Sequence, residues 1–332
     1  MRCPVKGNAK RGDAQARVLA TFSLPRPAHE HDIWTIAPEA AIQGTHRRHT
    51  MSSATYLAEW AGTQPVVLGP NWLEEQEPRK REEAAYHDDY RADHRNEQAD
   101  AAENHRFYEA ATIVSGYVDS WLAKWAPHGA ATFLDYACGD GTQTIRAVQA
   151  GARFAIGIDI SETSVRNAAE NAARAGVGDR VRFLQRDCEA TGLPDGSFSA
   201  CLCSGMLHHL DLSRAYPELA RITAPGGRVL CVEALSYNPV IQLYRNRTPH
   251  LRTAWESKHI LGMKEVRMAK AWFDVQNVRF FLMAAPLATL LPRGVMRRVG
   301  LAAGHAVDAV VTRIPGLRLW SWQFSFELVK RG

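Results

Sequence analysis

Four groups of residues in this 332-residue chain have the types and spacing to do chemistry. The first is the run from Phe133 to Thr144, in which an apolar stretch passes through Asp135, Ala137, Cys138, Gly139 and Gly141 into a helical pattern. Glycines there open backbone conformations closed to other residues and let a ligand approach the main chain, while the helix that follows offers free N–H groups. Asp159, twenty positions after Gly139, ends the next apolar run and is followed by Ile160; a carboxylate at that distance can accept both hydroxyls of a ribose. A dinucleotide loop wants glycine or alanine three positions after the second glycine. Thr144 stands there instead, which disfavours hydride chemistry.

The second group is Met206-Leu-His208-His209-Leu210, where either imidazole is placed to act as a general base beside the expected ligand, or to pack and hold its loop. The third is Tyr244, Arg245, Arg247, His250 and Arg252, a basic cluster flanked by Trp255: it reads as a solvated loop or as a site for an acidic or phosphorylated substrate, whose oxygens match the guanidinium fork. The fourth is Cys201-x-Cys203. It lacks a second ligand pair, so no metal site is expected, and the five cysteines from 138 onward fall in or beside apolar runs as reduced core thiols.

Several elements must position these residues. From Glu74 to Gln98 the chain is dense in charge and contains Tyr86-His-Asp-Asp-Tyr90, which reads as an exposed helix with its aromatics on one side. Phe107, Ala111, Val114, Val118, Trp121, Leu122 and Trp125 recur at steps of three and four, which predicts an amphipathic helix stopping before Pro127. Strand 131–136, helix 142–149, strand 154–158, a helix capped by Ser161 and ended by Gly176, strand 181–185, strand 198–203, helix 213–223 and strand 228–233 then alternate. That order predicts an α/β fold with a doubly wound, mostly parallel sheet and its ligand at the carboxyl ends of the strands. Beyond it come a helix near 264–273, a strand 278–282, and a final stretch where Trp320, Trp322, Phe324, Phe326 and Leu328 alternate with polar residues, predicting an edge strand with its aromatics on one face.

Taken together, Asp135-x-Ala137-x-Gly139-x-Gly141, Asp159, Asp187-Cys188, Ser204-Gly205 and Pro225-Gly226-Gly227 resemble the spaced motifs of the class I S-adenosylmethionine-dependent methyltransferases, in particular the small-molecule group called methyltransferase type 11. The likeness covers residues 100 to 235 well, with alanine at 137 replacing the family's first glycine. It implies a seven-stranded Rossmann-like sheet with an antiparallel final strand, and S-adenosyl-L-methionine as cofactor. It further implies that Asp159 holds the ribose, Asp187 and Cys188 meet the adenine, Ser204 lies at the active-site edge, and Tyr86 or Tyr90 caps the methionine end. The expected reaction is O- or C-methylation of a small or lipid-like acceptor in biosynthesis; a nucleotide-dependent oxidoreductase and a non-catalytic binding protein of the same fold are the alternatives.

The expected organisation is a disordered tail over residues 1–50, with Met51 an alternative start, then a helical cap over 51–126 and the catalytic domain over 127–332. That domain carries a substrate roof at 236–262 and a helical insert at 285–318. Residues 1–50 lack the continuous apolar core of a secretory signal, which points to the cytoplasm. The net charge of +5 is uneven: residues 1–50 carry eight Lys/Arg against four Asp/Glu, and 285–318 carry five against one. The remainder is slightly acidic, which with the missing Asn- or Asp-Pro-Pro-Tyr motif excludes a broad nucleic-acid face. The insert's apolar residues and arginines leave three covers open: the enzyme's own cleft, a second subunit in a homodimer, or peripheral contact with anionic lipid.

Overall fold

A computed structural model describes residues 52–92, 107–248 and 252–332. The 1–50 tail, the Met51 start and His250 lie outside the described residues. Seven strands form one sheet in the order β3-β2-β1-β4-β5-β7-β6: β1 (Thr132–Tyr136), β2 (Phe154–Asp159), β3 (Val181–Gln185), β4 (Phe198–Ser204), β5 (Thr223–Ala234), β6 (Phe273–Phe281) and β7 (Gln323–Lys330). The first five are parallel, and β7 runs antiparallel to both β5 and β6. The chain leaves β1 toward β2 and β3, then returns to place β4 on β1's other side. A crevice therefore opens at the carboxyl end of β1, where parallel sheets of this kind bind their ligands.

Helices cover both faces. Because side chains alternate along a strand, β1 sends Leu134 and Tyr136 into one core with Leu57, Ile156, Phe198 and Phe324, and Phe133 into the other with Val114, Trp121, Val165 and Phe183. The first core is closed by α1 (Ser53–Gly62) and α6 (Leu212–Ile222), the second by α3 (Thr112–Trp125), α4 (Thr142–Gln149) and α5 (Glu162–Arg174). Local signals worked as expected at α5: Ser161 accepts from the backbone N–H of Ser164 at its start, and Gly176 turns left-handed after its end. The five cysteines described, 138, 188, 201, 203 and 231, are buried thiols, and burial pushes all five up from their ordinary pKa.

Three expectations are corrected. The penultimate strand is β6, Phe273–Phe281, and it begins where the preceding helix was expected to end; that helix, α8 (Met263–Ala269), stops early. A register shift between Gln276 and Arg279, with Asn277 left-handed, hides the strand's period. In β7 the aromatics do not share a one-sided strand. Trp320 belongs to a short 3-10 turn and is 53% exposed, whereas Ser325 and Glu327 are as buried as Phe324 and Phe326, because the strand lies inside the sheet with both faces covered. Finally, the charge-dense segment after Glu74 is no solvated helix. Its described part, α2 (Pro78–Ala92), buries Lys80, Glu83 and Ala84.

Candidate cofactor and active site

The floor of the site is the turn between β1 and α4. Ala137 (φ 62°), Gly139 (φ 53°) and Gly141 (φ 78°) all lie in the left-handed region. The two glycines are needed for different reasons. A Cβ on Gly141 would fall 2.8 Å from both Ala168 and the Phe183 ring, so Gly141 is required by packing; one on Gly139 would fall 2.6 Å from the guanidinium of Arg91, on the open side. Asp159 ties the turn to the end of β2, one oxygen accepting from Gly139 N–H at 2.9 Å and the other from Ser161 N–H at 3.0 Å. Beneath the turn, Thr144 donates to Asp135 at 2.8 Å. Burial, with help from the charges of Asp159 and Asp140, pushes Asp135 up to about 7 against the hydrogen bonds from Thr144.

The adjoining edge comes from the ends of β3, β4 and β5. Asp187 accepts from Glu189 N–H at 2.9 Å with one oxygen and from Lys80 Nζ at 2.7 Å with the other. Glu233 gathers the loop after β4: one oxygen accepts from Met206 and Leu207 N–H at 2.9 and 2.7 Å, and the other lies 2.7 Å from His208 Nδ1. His208 is thereby held as a buried strut of the loop. His209 instead faces the crevice, with Nδ1 3.0 Å from Glu83 Oε2. Burial opposes its charged form, but the carboxylates of Glu83, Glu256 and Glu233 outweigh burial and raise its pKa; burial holds His87 below its ordinary value.

The remaining wall is α2. Lys80, Glu83, His87 and Arg91 recur at steps of three and four, so they share one face of the helix, and all four line the cavity. Arg79 and Lys80 pair with Glu189 at 2.6 and 2.9 Å. Asp88 accepts from Ser161 Oγ at 2.6 Å and Thr163 N–H at 3.0 Å, placing its charge at the start of α5, where the helix dipole favours an anion. Tyr86 makes an edge contact with His87; the side chain of Tyr90 lies outside the described residues. A polar stripe at helical spacing was the signal that could have found this wall.

Of the residues expected at the site, Ala137, Gly139, Asp159, Ile160, Asp187, Cys188, Ser204 and His209 line one cavity of about 150 Å³. Asp135, Cys138, Gly141 and His208 lie behind its surface as supports. Tyr244, Arg245 and Arg252 are not in its lining. Arg245, on α7 (Pro239–Arg247), is buried and donates to the Leu235 carbonyl at 3.2 Å; burial pulls it down to about 10. Arg252 pairs with Glu256 at 3.4 Å.

Residues 133–227 match the family model described as a methyltransferase domain. The chain carries a class I S-adenosylmethionine-dependent methyltransferase domain. Over 97 residues it is 38% identical to 27-O-demethylrifamycin SV methyltransferase of Amycolatopsis mediterranei, covering 29% of this chain and 36% of that protein. Over 132 residues it is 33% identical to the ubiquinone/menaquinone biosynthesis C-methyltransferase of Brucella anthropi, covering 39% and 48%. A ribosomal protein L11 methyltransferase of Neisseria meningitidis is 36% identical over 110 residues, 33% of this chain and 34% of that one. The matched segment thus spans about a third of the length of the first curated relatives. The crystal structure of geranyl diphosphate C-methyltransferase from Streptomyces coelicolor A3(2) shares the fold, with a TM-score of 0.52 and 16% identity over 77% of this chain and 99% of that one.

The methyltransferase domain fits S-adenosylmethionine in the kinds of groups it presents. Asp159 presents a carboxylate anchored on both oxygens, of the kind that accepts from ribose hydroxyls, and the bare Cα of Gly139 faces a guanidinium suited to a carboxylate. The cavity is smaller than the roughly 300–1,000 Å³ of ordinary ligand pockets, and His87 and Arg91 of α2 stand in its lining.

Proposed function

We propose that the chain transfers a methyl group from S-adenosylmethionine to an oxygen or carbon of a small lipophilic acceptor. The observation that carries this reading is the Asp159–Gly139 cradle at the strand switch, adjoined by the Ser204–Met206 edge and by His209 at the other end of the same cavity. When bound, the cofactor supplies a methyl on a sulfonium, so the protein's main tasks are to align the acceptor and exclude water. Asp159 holds the ribose, Arg91 offers a cation for the methionine carboxylate, and α2 covers both. His209 stands where a general base for an acceptor hydroxyl is needed, while His208 keeps the loop in place through Glu233.

A lipophilic acceptor is supported by two of the relatives, a rifamycin O-methyltransferase and a quinone C-methyltransferase, and by the insert. In the insert, α9 (Val295–Val311) leaves Val295, Met296, Val299 and Val310 more than 60% exposed. Its single acid, Asp308, is buried and accepts from the N–H groups of Met283, Ala284 and Ala285, so every exposed charge on 285–318 is an arginine. Apolar residues ringed by exposed arginines suit an anionic membrane surface, and no described helix is long and apolar enough to cross one. We place the domain at that surface, drawing its acceptor from it. Flotation with anionic vesicles tests this: binding at low salt that weakens as salt rises is expected, and indifference to such vesicles ends the membrane reading.

The activity is tested with methyl-labelled cofactor on lipid and quinol extracts, with Asp159→Ala as control. Label in an extractable product that disappears in the variant is expected. Saturable binding of NAD(H) in place of S-adenosylhomocysteine would return the domain to the oxidoreductase alternative.

A further inference from the structure

Glu83 and His87 sit one turn apart on α2, and His209 reaches them from the loop after β4. One donor atom from each lies within 4.8 Å of the others: Glu83 Oε2 is 3.0 Å from His209 Nδ1 and 3.9 Å from His87 Nε2. Donors around a tetrahedral zinc-class ion, at about 2.0–2.2 Å from it, stand about 3.3–3.6 Å apart, a spacing these two distances bracket. Glu83 Oε2 and His209 Nδ1 are both buried and pair with each other at 3.0 Å, and neither has a hydrogen bond to a third described group. The Glu83 side chain is 7% exposed and its other oxygen is fixed by the Thr253 hydroxyl, the outer-shell support that metal-ligating carboxylates receive. The neighbouring set His208, His209 and Glu256 is less free, since Glu233 engages His208 and Arg252 engages Glu256.

We propose that Glu83, His87 and His209 form a site for a divalent cation of the zinc class, which prefers imidazole and carboxylate donors. Two ligands ride on the wall helix and one on the active-site edge, so the ion clasps α2 over the cleft. Three protein donors leave a tetrahedral ion one open position, available to an oxygen of the acceptor, with His209 then serving as a ligand in place of a general base; this last use rests on the methyl-transfer reading, whereas the binding of the ion does not.

The test uses the full chain without an affinity tag, stripped by chelator, with no cofactor present. Zn2+ is titrated calorimetrically, and Co2+ by its visible absorption, into the wild type and into Glu83→Gln, His209→Asn and the double variant. The comparison cancels histidines elsewhere in the chain. Expected is a loss of affinity of at least about tenfold in each single variant, with tetrahedral cobalt absorption in the wild type alone. Equal affinity in wild type and double variant overturns the proposal. Hydrogen exchange of the wild type provides a readout independent of variant folding: Zn2+ is expected to slow exchange in residues 78–92, and unchanged exchange overturns the clasp. A parallel S-adenosylhomocysteine titration reports on the cofactor reading separately.

Discussion

The two walls of the cleft are made in different ways. The sheet wall, from Ala137 to Asp159, is backbone shaped by left-handed turns and anchored by hydrogen bonds between main chain and a buried carboxylate. The helix wall, α2, is held by side-chain charges: Arg79 and Lys80 on Glu189 and Asp187, and Asp88 on the start of α5. Backbone geometry is hard to deform, whereas ion pairs can part and re-form as a helix moves. On the proposed reading the first kind of wall holds the cofactor and the second is the one free to adjust around it.

The contrast is broken most directly at Gly139. Gly139→Val adds a β-branched side chain at a left-handed φ and toward Arg91, and is expected to abolish S-adenosylhomocysteine binding in calorimetry while leaving a folded protein. Retained affinity would mean that the turn does not bear the cofactor. Next comes Lys80→Met, which leaves Asp187 without its cation in a site where Lys80 is only 8% exposed. A loss of about 3–5 kcal/mol is expected for a broken buried pair, confined to α2 and read as faster proteolysis between residues 78 and 92. Uniform destabilisation of the whole domain would contradict a separately held wall.

Asp135 sharpens the comparison through pH. Its folded pKa of about 7 lies above its ordinary 3.8, so between those values the native state binds the proton that the unfolded chain has released. Stability is therefore lost as pH rises from about 4 to 7, by at most about 1.4 kcal/mol per unit. Asp135→Asn, which can still accept from Thr144, is expected to match the wild type near pH 4 and exceed it above pH 7 in denaturant melts. Parallel curves for the two proteins would show that Asp135 is not strained by burial. The smallest effect belongs to Ala137→Gly. Relief of a left-handed alanine, less the extra flexibility of glycine, is expected to stabilise by about 0.5–1 kcal/mol, and a fall in melting temperature would refute it.

Much of the sheet wall was legible because its determinants are local. Five parallel strands, the Ser161 cap, the Gly176 stop and the pairing of Asp159 with the glycine turn follow from hydrophobic period, capping chemistry and spacing along the chain. Which histidine of the pair would be a strut was open in the sequence and is decided by Glu233, twenty-five residues away on β5. Lys80, Glu83, His87 and Arg91 were unreadable as site residues for the same reason. A charged helix carries no apolar face to announce its burial, and its partners Asp187, Glu189, His209 and Gly139 lie from 48 to 126 positions away in the sequence. The sequence by itself determined the five parallel strands, their order of appearance and the glycine turn after the first of them, because these depend on neighbours a few residues apart. Only the tertiary structure decided which charges are buried and what they meet, because an ion pair depends on distance in space and leaves no period in the chain.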